Sequence, residues 1–144
     1  FLHVHEGRDS PTMLAFLWYA STCRDLGIGV VSDPQNPVYH AVKQAVATYH
    51  RLKRFFTQGE FFGIDLFAHL HLVREEQAAV AVVFNLTSET VVREIFIPTE
   101  KLGYRSSTVT GEGLALTQCE GGSALSVEIP PMSPLLIELS FAEK

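Results

Sequence analysis

The chain has 144 residues, 47% hydrophobic and 19% charged, which is the balance of a folded globular protein and excludes a disordered one. Its formal charge of −5, with 11 Lys and Arg thinly scattered, argues against a nucleic-acid or anionic-membrane partner, since either calls for clustered basic residues. The longest apolar run, residues 13–20, is far short of the roughly 18 to 20 residues that span a bilayer.

In chain order, Phe1-Leu2-His3-Val4-His5 alternates as a strand does and is followed by the polar turn Glu6-Gly7-Arg8-Asp9. The first residue is Phe and the strand has no lead-in, so the chain is expected to start inside something larger; no signal peptide is visible. Ser10-Pro11 is a cap-and-proline helix start. The helix it predicts carries Trp18, ends at Gly27 and is apolar on nearly every face, so it needs cover on more than one side. Without that cover the expected outcome is self-association.

Asn36-Pro37 is a second start. From Val38, the residues Val42, Ala45, Val46, Tyr49, Leu52 and Phe56 recur at steps of three and four, which predicts an amphipathic helix of about twenty residues. Thr57-Gln58-Gly59 stops it, with glycine expected in the left-handed cap conformation. Because the chain reverses there, the stripe is expected to lie against the strands begun by Phe61 and Phe62.

After Gly59 the period becomes that of β structure. Strands are expected over 61–64, 68–73, 78–86, 91–97, 108–110, 114–119, 124–129 and 135–141, separated by Ser88-Glu89, Pro98-Thr99, Gly111-Glu112-Gly113, Gly121-Gly122 and Pro130-Pro131. About seven or eight short strands with turn signals at intervals of about ten residues predict an antiparallel β-sandwich. The fold class is therefore α+β: an N-terminal strand and two helices, then the sandwich.

Several residue types could carry chemistry. Two His-x-His pairs, His3/His5 and His69/His71, place two imidazoles on one face of a strand, as a metal site requires. Gly63, His69, His71 and Glu75 have the spacing of the first half of the cupin metal motif, and their alternative reading is a cupin-like metal-binding β protein. That motif needs a further histidine, and none follows His71, so no metal is expected and the two side chains read as the polar face around Leu70 and Leu72. Glu6, Arg8 and Asp9 are candidates for a catalytic loop, or else a solvated turn. Asn85-Leu86-Thr87 fits the glycosylation sequon but reads as a strand end. Cys23 and Cys119 stand in unrelated contexts and are expected to be reduced and structural, which suits a cytoplasmic location. No nucleophile elbow, phosphate loop or dinucleotide fingerprint occurs, and no cofactor is expected.

The stretches LHVH at residues 2–5, AFLWYASTCRDLGIG at 15–29, YHRLKRFFTQGEF at 49–61 and PPMSPLLIEL at 130–139 resemble the C-terminal end of bacterial glycoside hydrolases of the α-galactosidase type. The resemblance implies that residues 1–58 are the end of a catalytic (β/α)8 barrel and residues 59–144 an accessory sandwich. The paired carboxylates of glycosidic cleavage are then expected on earlier barrel strands. On this reading the chain alone is inactive, and carbohydrate is a partner only through the parent enzyme. A carbohydrate-binding module is the rival, with Tyr39, Phe61, Phe62 or Tyr104 stacking on sugar rings.

Overall fold

The computed structural model describes residues 10–12, 32–110 and 114–143. The strand expected at residues 1–5 and most of the Trp18 helix lie outside these residues, as does Cys23.

Helix α1 (Pro37–Gln58) begins as the sequence dictates. The Asn36 side chain accepts a hydrogen bond from the Val38 N–H at 2.9 Å, and Pro37 occupies the first turn. Its buried face is Val38, Ala45, Tyr49, Leu52, Phe55 and Phe56. The predicted stripe is thus shifted: Val42 and Val46 are half-buried, and Phe55 joins Phe56 because the last turn sinks into the structure more deeply than the first.

The stop at Gly59 is where the sequence put it, but its cause is different. Gly59 has φ −69° and ψ 148°, an extended conformation and not a left-handed one. A Cβ there would lie 2.3 Å from the Phe55 carbonyl oxygen, so the position needs glycine for close approach of backbone to backbone. Its N–H still closes the helix by donating to that same carbonyl.

The β part comprises β1 (Glu60–Gly63), β2 (Ala68–Val73), β3 (Ala78–Asn85), β4 (Val91–Ile97), β5 (Ser106–Thr110), β6 (Leu116–Cys119), β7 (Gly122–Ile129) and β8 (Ser133–Ala142). A 3-10 turn, Arg74–Glu76, joins β2 to β3, and a short helix α2 (Thr99–Leu102) follows β4. Pairing is antiparallel throughout, in one sheet of order β1-β2-β3-β8-β5 and another of order β4-β7-β6. The ends of β5 and β8 extend beyond the apolar stretches that predicted them, because the Ser106–Ala142 pairing continues the ladder whatever the side chain.

Two separate apolar clusters define three layers. Between the sheets lie Leu70, Leu72, Ala79, Ala81 and Val83 from one, and Ile95, Leu125, Val127 and Ile129 from the other. On the opposite face of the larger sheet, Val73, Val80, Val82 and Phe84 meet the buried face of α1. This explains the unbroken apolar run of β3, which is covered on both sides and so cannot alternate.

Successive strands cross repeatedly between the sheets, and one polar side chain fastens the crossings. Asn85 is fully buried; its amide donates to the carbonyls of Glu89, Ile129 and Pro130, and its Oδ1 accepts from the N–H and hydroxyl of Thr87. The β3–β4 and β7–β8 connections are thereby tied together.

Candidate functional site

Histidines 69 and 71 occupy alternate positions of β2 and point to the α1 side of the sheet. The register sets His71 opposite Phe61 of β1 and Val80 of β3, and His69 opposite Val82. The two imidazoles lie edge to face with centroids 5.2 Å apart. Phe56 of α1 meets His71 at 5.2 Å, Phe61 lies 5.3 Å from His69 and 5.5 Å from His71, and Phe84 is 5.5 Å from His69.

The expected polar face is therefore wrong. What surrounds these histidines is aromatic, because the face that the sequence presents as histidine-bearing is the one α1 covers. His71 is 3% exposed, and the Nε2 atoms of both rings are buried without a hydrogen-bond partner. Burial pushes both imidazoles down to about 4, and for His71 the neighbouring His69 adds to it. Both are thus neutral at ordinary pH and too weakly basic for proton transfer near neutrality.

Glu75 does not complete a metal site with them. It is exposed in the 3-10 turn, and among the described residues no three His, Cys, Asp or Glu side chains gather as a metal requires. Glu6, Arg8 and Asp9 lie outside the described residues. Cys119 is free and exposed at the end of β6.

The aromatics of the sugar-binding reading are dispersed. Phe61 is 61% exposed, but Phe62, the next residue of β1, faces the opposite side and packs on the inter-sheet core. Tyr104 is buried and stacks on Phe141 at 4.8 Å; Tyr39 is half-buried on α1, edge-on to His40. No two of the four form a shared open platform.

Among the described residues, two depressions adjoin α1. One, of about 450 Å³, is bordered by His50, Arg51, Lys53, Arg54, Thr57 and Gln58, yet Arg51 is paired with Glu138 and Arg54 with Glu76. The other, of about 380 Å³, lies between the helix, Pro11-Thr12 and the start of β8, and no charged side chain lines it. Neither holds a carboxylate.

No protein-family model matches the sequence, and no curated protein does either. Solved structures do. The α-galactosidase I of Mortierella vinacea superposes with a TM-score of 0.63 and 11% identity, over 98% of this chain and 39% of that one. A GH27 β-L-arabinopyranosidase of Geobacillus stearothermophilus, in complex with arabinose, gives 0.60 and 12% over 92% and 31%. An α-amylase of Geobacillus thermoleovorans complexed with acarbose gives 0.57 and 13% over 93% and 34%. The likeness is one of fold.

This chain spans about a third of the length of those structures. The two-sheet β unit with its helix is thus an architecture present in parts of several larger glycoside hydrolases. Sequence reasoning located the histidine pair but missed its aromatic setting, and it gave Asn85 no role; a buried Asn at a strand end leaves no periodic signal.

Proposed function

We propose that this chain is the C-terminal part of a glycoside hydrolase of the α-galactosidase type, with residues 59–144 forming the sandwich that supports a catalytic barrel and residues 1–58 forming the barrel's end. The observation that carries this reading is the match over 98% of the chain, helix α1 included, to an α-galactosidase more than twice as long. Glu6, Arg8 and Asp9 would then stand on the loop at the C-terminal end of a barrel strand, where barrel enzymes keep their substrate groups. Carbohydrate is the partner of the parent enzyme, and no cofactor enters the reaction.

Sequencing of the coding DNA immediately upstream tests this. An in-frame extension encoding further alternating strands and helices, with Asp or Glu at strand ends, is the expected result. A frame that opens at this chain, or continues into a different fold, would overturn it.

A further inference from the structure

The described residues contain two ionisable rings set against each other beside a helix and a sheet, His71 buried and His69 half-buried, and the proposed function uses neither. They sit at a seam. Helix α1 buries its own cluster with one face of the larger sheet, separate from the cluster between the two sheets, so α1 can lift without opening the sandwich. His71 lies in that seam, with Phe56 from the helix edge-on to its ring.

We propose that the His69–His71 pair is an acid-operated latch for helix α1: protonation of the rings releases the helix while both sheets remain paired.

The groups around the pair leave a proton no counter-charge. From α1 comes Phe56, itself stacked on Tyr49, and the same helix carries His50, Arg51 and Arg54; β3 (Ala78–Asn85) carries no ionisable side chain. Glu138 of β8 is held by Arg51, and Glu76 of the 3-10 turn by Arg54. Glu75 is exposed in that turn, and Glu60 of β1 faces the other side of the sheet, where Arg74 holds it. A cation on His71 would therefore be buried among aromatics and beside a second imidazole, and hydration of that ring requires that α1 move away.

The direction follows from linkage. Solvent-exposed histidine titrates near 6.5, and these rings, when covered, near 4. Between those values the released state binds more protons, so cover is complete above about pH 6.5 and is lost as pH falls toward 4. At pH 5 each histidine set free favours release by about 30-fold.

Hydrogen exchange of the whole chain at pH 7.5 and pH 5.0, corrected for intrinsic rates, is the test. Amides of α1 are expected to lose protection by at least about 30-fold, while β4 and β7 keep theirs. In the double variant His69→Phe/His71→Phe, which retains His40 and His50, α1 should be equally protected at both pH values. Unchanged protection of α1 in the natural chain, the same loss in the double variant, or simultaneous loss in β4 and β7 would each overturn the latch. Should the variant not fold, the imidazole NMR signals of the natural chain decide: titration of both rings near 6.5 with α1 still protected overturns the proposal, and titration coincident with loss of α1 protection supports it.

Discussion

At the scale of single residues, the side chains that matter most are those committed to two partners. Phe56 is 4% exposed, lies parallel to Tyr49 with centroids 5.9 Å apart and meets His71 edge-on. Phe56→Ala should cost about 3 to 5 kcal/mol, the usual loss for a buried phenylalanine. Denaturant melts measure it, and a difference below about 1 kcal/mol, the size of a surface effect, would show that the ring is not part of the seam. Asn85 is the polar counterpart. Asn85→Ala leaves the Ile129 carbonyl buried without its donor, and a loss of at least about 1 to 3 kcal/mol is expected. Because Asn85 is fully buried, its sequon should also stay unmodified in a glycosylating host, as intact mass would show.

Between elements, glycines mark where backbones pass too closely for any side chain. Gly122 opens β7 beside β4, where a Cβ would lie 2.1 Å from the Ile97 carbonyl oxygen. Since the obstacle is backbone, Gly122→Ala must displace the end of the β4–β7 ladder, at a cost of about 1 to 3 kcal/mol or more. Gly63 is the contrast: a Cβ there meets nothing within 4 Å, and Gly63→Ala should change the melt by no more than about 0.5 kcal/mol. If the two variants melted alike, close approach would not be the reason for Gly122.

For the molecule as a whole, the proposed role sets a limit on activity. Cleavage of a glycoside needs two carboxyl groups about 5 to 10 Å apart across the sugar, and on the proposed reading these belong to barrel strands outside this chain. The purified chain should therefore hydrolyse aryl α-galactosides no faster than a protein-free control. Turnover above that control, removed by substitution of Glu6 or Asp9, would place catalysis inside this chain.

Period and punctuation determined the start of α1 at Asn36-Pro37, its stop at Gly59 and the succession of short strands, because each depends on residues close in sequence. The run of β3 was legible as a strand, but not as one buried on both faces, since apolarity alone does not say which layers will cover it. Histidines 69 and 71 were legible as a same-face pair. That this face is aromatic and buries His71 was decided by α1 and β1, which reach it only after the chain has turned back on itself. Gly59 and Asn85 make the same distinction: their places could be read, but their purposes come from a carbonyl one helical turn away and from a loop some 45 residues later. Local conformational preference is written in neighbouring residues, whereas burial, charge state and close approach belong to surfaces that exist only once the layers have met.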